Sequence, residues 1–327
     1  MTRPFFARRS VVTGLLALSA TALSLVLAPA ALAQTATPKE VRIGYQKNGL
    51  LILAKQRKSL EARLNPLGIQ VKWAEFSFGP PLLEALGLGS VDFGTTGDAP
   101  PIFAQAAGAN LLYVSAQEAA GSGAAILVAD TSPIRTLADL KGKKVGFAKA
   151  SSAHNLTIAA LEKAGLTYQD IDPIYLPPAD AAAAFARGSI DAWTIWDPFF
   201  AIAEKSKNTR ILSLARGIVT QNSFFLANKD FTAKYPQIVS AINSVLADTA
   251  TWASQDNEGV AKALAEITGV DLESQRRAVA RTEFAVAPVS QAVVEEQQRI
   301  ADRFHRLGLI PKPITVKDIV WTWTPAS

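Results

Sequence analysis

Apolar and polar positions change their period along this chain in a regular order. Val41-Arg42-Ile43-Gly44-Tyr45 alternates in steps of two, the period of a strand, and ends at Gln46. Residues 51–64 follow helical spacing and are closed by Asn65-Pro66. Residues 70–76 alternate again, with Val71 and Trp73 on one side. Pro80-Pro81 suits the first turn of the next helix, and Asp92-Phe93-Gly94-Thr95 reads as the strand after it. A helix over 100–107 ends at Gly108, and 111–115 is a strand. Gly121 to Gly123 reads as a crossover loop, and Lys141-Gly142-Lys143-Lys144 as a solvated basic turn. Strands follow at 125–129, 145–147, 174–176, 210–214 and 223–227, with a helix over 151–163 stopped by Gly165. From Asp230 the pattern is mainly helical: 236–252, 260–267, 273–280 and 289–307. Helices exchanging with short apolar strands predict an α/β fold on parallel or mixed sheets.

One phrase occurs twice, 99 residues apart. Gly89-Ser90-Val91-Asp92 is followed after five residues by Asp98 and then Pro100; Gly188-Ser189-Ile190-Asp191 is followed after five residues by Asp197 and Pro198. Each copy comes after an apolar helical stretch and enters a short strand that ends at a polar turn. Gly-Ser-(Val/Ile)-Asp is also a frequent helix-to-strand connector, and the matched second acid is what lifts the pair above that. Two similar α/β lobes would set two similar loops face to face, with a ligand cleft between them. The element order fits a first lobe at 34–125, an inserted second lobe at 126–220, and a return of 221–327 to the first.

Composition adds a location. Arg3, Arg8 and Arg9 precede an apolar stretch from 11 to 27, and Ala31-Leu32-Ala33 forms an A-x-A cleavage site before Gln34. Residues 1–33 are therefore expected to be a removed secretory signal. Arg8-Arg9 before Ser10-Val11-Val12 resembles part of a twin-arginine signal, so both export routes stay open. Loss of three Arg and no acid takes the formal charge from +5 to +2, and no basic stripe points to nucleic acid. The chain has no Cys, so an exported form relies on its core rather than on disulfides. The 327 residues less 33 leave 294, enough for two domains.

Three loops at the carboxyl ends of expected strands carry candidate chemistry, the place where open α/β sheets bind ligands. Thr95-Thr96-Gly97-Asp98 offers hydroxyls, a glycine and an acid just before a helix. The same residues would serve as an N-cap, and a helix start also attracts anions. Ser151-Ser152-Ala153-His154-Asn155 opens a helix with hydroxyl, imidazole and amide groups around free N–H donors, a plausible anion cradle or a plain cap beside a surface His. In Trp193-Thr194-Ile195-Trp196-Asp197-Pro198, Trp193 reads as core, Trp196 as a wall turned into the loop, and Asp197 as a partner for a cation or a helix cap.

Enzyme signals are poor. The two His lack ligand-like spacing, and no G-x-S-x-G, G-x-G-x-x-G or Walker loop is present. Ser151 with His154 could suggest an exported hydrolase, but nothing supplies the orienting acid and oxyanion loop.

The chain resembles the periplasmic aliphatic sulfonate-binding proteins of ABC transporters, and less closely their taurine-binding relatives. The resemblance is carried by Val41 to Lys47, Gly79-Pro80 with Leu83-Glu84-Ala85-Leu86, and Gly89-Ser90-Val91-Asp92. It continues through Thr96-Gly97-Asp98-Ala99-Pro100 to Ala109, Leu140 to Val145, Ser151 to Leu156, and Asp191 to Pro198. It implies a two-lobe, type II periplasmic-binding-protein-like fold with the ligand in the cleft between lobes, no catalysis and no cofactor or metal. By motif it implies ligand contacts at Gln46, Gly79, Pro80, Thr96, Gly97, Asp98, Ser151, Ser152, His154, Asn155, Trp196 and Asp197. At Gln221-Asn222-Ser223 the sequence departs from an expected Thr-Gly-Ser-like run, so no contact is assigned there.

The implied role is that of a periplasmic, monomeric solute-binding component of an importer for sulfur acquisition. Its sulfonate would sit on neutral donors at the Ser151 helix, its tail on Trp196, and its closed form would be read by membrane permease subunits. A taurine, nitrate or bicarbonate binder on the same fold is the alternative, with Asp197 suited to the amine of taurine.

Overall fold

A computed structural model describes residues 37–325. The expected signal, 1–33, lies outside the described residues. The described residues form one compact unit.

Its strands are β1 Glu40–Tyr45, β2 Gln70–Glu75, β3 Phe93–Gly97, β4 Leu111–Gln117, β5 Ala124–Ala129, β6 Lys144–Phe147, β7 Asp172–Tyr175, β8 Ala192–Trp196, β9 Thr209–Leu214 and β10 Ser223–Asn228. Its α-helices are α1 Gly49–Gln56, α2 Ser59–Leu64, α3 Gly79–Gly87, α4 Ala99–Ala106, α5 Ser152–Lys163, α6 Pro178–Ala186, α7 Phe199–Glu204, α8 Lys229–Lys234, α9 Pro236–Gln255, α10 Asn257–Thr268, α11 Leu272–Ala280 and α12 Gln291–Arg306. The strands make two five-stranded sheets, β2-β1-β3-β10-β4 and β7-β6-β8-β5-β9. In each sheet the strand that arrives by a crossing, β10 or β5, runs antiparallel to both neighbours, while β1–β3 and β6–β8 pair in parallel. The mixed α/β architecture expected from the periodicity is present.

Each sheet is covered on both faces. Val41, Ile43 and Val114 face a core with α1, α2, α9 and α10, whereas Tyr113 and Leu226 face α3, α4 and α12. In the second lobe Ala192 faces α5, and Trp193 and Ile195 face α6 and α7. Strand alternation divides each row of side chains between two cores.

The repeated phrase builds the same corner in both lobes. Gly89 and Gly188 take left-handed φ of +71° and +70° and end α3 and α6. Ser90 N–H returns to Ala85 O and Ser189 N–H to Ala184 O, the Schellman pattern. Val91 and Ile190 lie over a glycine of the neighbouring strand: a Cβ on Gly44 would stand 3.1 Å from Val91, and one on Gly146 would stand 2.4 Å from Ile190. The acid then accepts a backbone N–H at the start of that strand, Arg42 to Asp92 and Lys144 to Asp191, both at 2.8 Å. The phrase is scaffolding. Only the loop that follows it reaches the cleft.

One expected element is divided. The helix expected over 51–64 breaks into α1 and α2, because Lys58 adopts a left-handed φ of +53°. Neither Gly nor Pro marks the break, so the periodicity runs through it unaltered.

Candidate functional site

The carboxyl ends of β1 and β3 in the first lobe and of β8 in the second converge on one cleft of about 190 Å³. Two crossings close its rear, 118–123 and 215–222. They are pinned together: Asn222 Oδ1 accepts Ala119 N–H at 3.1 Å, and a side chain at Gly121 would stand 2.5 Å from Val219 O. Gly121 also has φ +75°, so both space and backbone demand glycine there.

Gln46 follows β1 and donates its amide to Thr95 O at 2.9 Å. Thr95 hydroxyl donates to Phe224 O, which fixes the end of β3 on β10. Thr96 and Gly97 line the cleft beside Gly79. A Cβ on Gly79 would lie 2.7 Å from Pro100, so only glycine lets the starts of α3 and α4 meet. Across the cleft stand Ser151, Ser152, Trp196 and Asp197. The loops of the two lobes touch at Gly97, where a Cβ would be 2.0 Å from Ser152 Oγ.

Thus Gln46, Gly79, Thr96, Gly97, Ser151, Ser152, Trp196 and Asp197 are brought together, and four other expected residues do not line the cleft. Pro80 sits in the first turn of α3. Asp98 is buried at the start of α4, where it accepts Ala99 N–H at 2.7 Å and Asn155 Nδ2–H at 2.7 Å. Burial pushes its carboxyl up to about 6, with Asn155, Ala99 N–H and Ser152 opposing. Asn155 spends its amide on Asp98, and its oxygen accepts from Arg303 at 3.0 Å.

His154 is not an open donor of an anion cradle. It is fully buried and stacked between Phe147 and Phe103, with ring centroids 5.0 and 6.1 Å away. Its Nδ1 accepts Ala150 N–H at 3.2 Å, and Nε2 meets the Tyr168 hydroxyl at 3.1 Å. Burial, with Lys149 nearby, lowers its pKa to about 3, so the ring is neutral. Ser151 likewise does not cap α5 through its side chain; its hydroxyl donates to Ala148 O at 2.7 Å. The chain's own Asp98 thus supplies a carboxylate at the start of α5. That place was expected for a ligand anion.

Trp193 is core, as its strand position indicated, and Trp196 borders the cleft. Asp197 does cap a helix, accepting Ala201 N–H at 3.0 Å. Its carboxyl is pushed up to about 7 by burial, with Glu204 adding and Arg281 opposing.

The structure adds lining residues that the motifs missed. Gln221, at φ +61°, and Ser223 come from the run where the expected pattern failed. Arg281, at the end of α11, comes from the helical tail, which held no recognisable motif.

A model of the NMT1/THI5-like family matches residues 68–259. A protein of Escherichia coli (strain K12), provisionally described as an aliphatic sulfonates-binding protein, is 40% identical over 293 residues, 89% of this chain and 91% of that one. The alkanesulfonate-binding protein SsuA of Xanthomonas axonopodis pv. citri, solved bound to MOPS, is 42% identical with a TM-score of 0.84, covering 88% of this chain and 99% of that one. The periplasmic aliphatic sulphonate binding protein SsuA of Escherichia coli is 39% identical with a TM-score of 0.81, covering 89% and 94%.

Proposed function

Because the chain belongs to the NMT1/THI5-like family and, within it, to the aliphatic sulfonate-binding proteins, we propose that it binds an aliphatic sulfonate between its lobes as the solute-binding component of an ABC importer. The observation that carries the reading is convergence: eight of the twelve expected contact positions, drawn from both lobes, border one cleft. Most are neutral groups, which suit a weakly basic anion held by several hydrogen bonds without a salt bridge. Since Asp98 takes the Asn155 amide, Thr95 O the Gln46 amide and Gly97 O the Thr96 hydroxyl, the ligand's share falls to the backbone N–H groups at the start of α5 and to the Ser152 hydroxyl. Trp196 walls the organic tail. The lobes close about the two crossings, a hinge motion, and the closed form is presented to membrane permease subunits.

On this reading residues 1–33 direct export to the periplasm and are removed, and the protein works as a monomer without cofactor, catalysis or nucleic acid. The mass of the periplasmic form, starting at Gln34, tests the export step.

The test of function is thermal unfolding against alkanesulfonates of several lengths, sulfate, nitrate and a carboxylate control. A ligand bound only by the folded state at a hundred times its Kd adds about 2.7 kcal/mol. Alkanesulfonates are expected to raise the midpoint and carboxylates to leave it in place. No shift with any sulfonate overturns the reading.

A further inference from the structure

Arg281 reaches from the end of α11 to second-lobe residues at the cleft wall. Its guanidinium lies over the Phe200 ring at 4.1 Å, and its Nη2 bonds Glu204 Oε2. These contacts hold the group in one pose with its other edge toward Asp197. Nη1 stands 3.6 Å from Asp197 Oδ1, too far for a hydrogen bond, and has no hydrogen-bond partner among the described residues. Asp197 Oδ1 is taken by the α7 cap, but Oδ2 is buried without a partner. Oδ2 faces Gly123, a lining residue: a Cβ there would be 3.6 Å from Oδ2, in ordinary contact. One fixed donor and one fixed acceptor, both shielded from solvent and both unmatched, therefore stand side by side at the cleft.

Given the sulfonate reading, on which this rests, we infer that the Arg281–Asp197 pair is a subsite for a hydroxyl group on the ligand's tail, so that the preferred ligands are hydroxyalkanesulfonates. The charges here are already opposed within the protein, Arg281 against Asp197 and Glu204, and Arg277 against Glu204. What is left over is hydrogen-bonding capacity of both kinds. A hydroxyl accepts from Nη1 and donates to Oδ2 through one oxygen. Nη1 stands 3.6 Å from Oδ1, and the two oxygens of a carboxylate lie about 2.2 Å apart, so Nη1 and Oδ2 fall within the roughly 6 Å that one oxygen spans when it makes two hydrogen bonds. An ammonium has nothing to offer Nη1 and would be set against a guanidinium. A second anionic group has nothing to offer Oδ2. A methyl group leaves both atoms buried and unpaired, and a site built for a hydroxyl rejects such an analogue. The order along the cleft fits: the sulfonate at the Thr96–Gly97 and Ser152 side, the tail along Trp196, and the hydroxyl at the residue that follows it. Lobe closure then seals the two bonds from water.

Calorimetric titration of the protein with matched pairs tests this: ethane-, propane- and butanesulfonate, each against its terminal hydroxyl derivative, with 2-aminoethanesulfonate as the ammonium probe. At one tail length the hydroxyl compound is expected to bind about ten- to a hundredfold more tightly than its partner, the range for hydrogen bonds to charged groups. Asp197→Asn keeps an acceptor for the α7 cap and should reduce that ratio below about threefold; Arg281→Met should do the same if the first variant folds poorly. Equal binding within every pair, or tighter binding of the amine than of the hydroxyl, overturns the subsite and leaves the sulfonate reading intact. Binding of no sulfonate overturns both.

Discussion

Where α5 meets α4 and α12, the contact between the lobes has a buried apolar centre with ion pairs only at its rim, Glu162 to Arg303 at 2.9 Å and to Arg306 at 3.4 Å; where α7 meets α11, it is ionic throughout. In the first seam His154 is fully buried against Phe103 and Phe304, Ile158 joins the first lobe's core, and Asn155 bonds the buried Asp98. In the second, Lys205 pairs with Asp271 at 2.6 Å, Arg277 with Glu204 at 3.5 Å, and Arg281 with Glu204. Lys205 and Asp271 keep 32% and 50% of their side-chain surface exposed. Apolar burial and satisfied buried polar groups resist salt, while exposed ion pairs contribute little and are screened. The two flanks of one cleft therefore differ in how firmly they hold, and the weaker flank carries Asp197 and Arg281.

Phe304→Ala breaks the apolar centre of the first seam and should have the largest effect. Truncating a fully buried phenylalanine costs about 3–5 kcal/mol, read as a lower urea midpoint with an unchanged slope. A loss below about 1 kcal/mol would mean that this seam contributes little.

His154→Phe sharpens the comparison through pH. The histidine's folded pKa, about 3, lies below its ordinary 6.5, so between those values the unfolded chain binds more protons. Wild-type stability on this account falls as pH drops from 6.5 toward 3. At neutral pH the variant should be the less stable, because Ala150 N–H loses its partner and the Tyr168 hydroxyl keeps only Tyr175. The gap should then narrow as pH falls across that window in matched urea titrations. A constant gap would place a charged or exposed histidine in the seam.

Lys205→Ala tests the ionic seam and should do least: about 0–1 kcal/mol at low salt, vanishing as ionic strength approaches about 1 M. A cost above 2 kcal/mol would make the two seams equals.

Much of the framework was legible from residues alone. Alternation located the strands, and the doubled Gly-Ser-(Val/Ile)-Asp phrase pointed to two matching corners, since its helix end is a local demand and the same four residues meet the same distant partners, a glycine and a strand start, in each lobe. The loops after it were legible as cleft loops too. The fates of Asp98, His154 and Asn155 were not. A helix start with Ser, His and Asn reads alike whether its polar groups meet a ligand or the opposite lobe, and the partners chosen lie 57 residues away for the Asn155–Asp98 bond and 148 for Asn155–Arg303. Arg281 was equally hidden, one arginine among several in an amphipathic tail.

The sequence by itself determined the alternating elements, the helix ends of the two repeated corners and the residues able to end strands at a cleft, because each depends on neighbours within a few positions. Only the tertiary structure decided which polar groups face the cleft and which close the seam beside it. Hydrogen-bonding capacity is a property of a residue type, but its availability depends on what the fold has already placed against it.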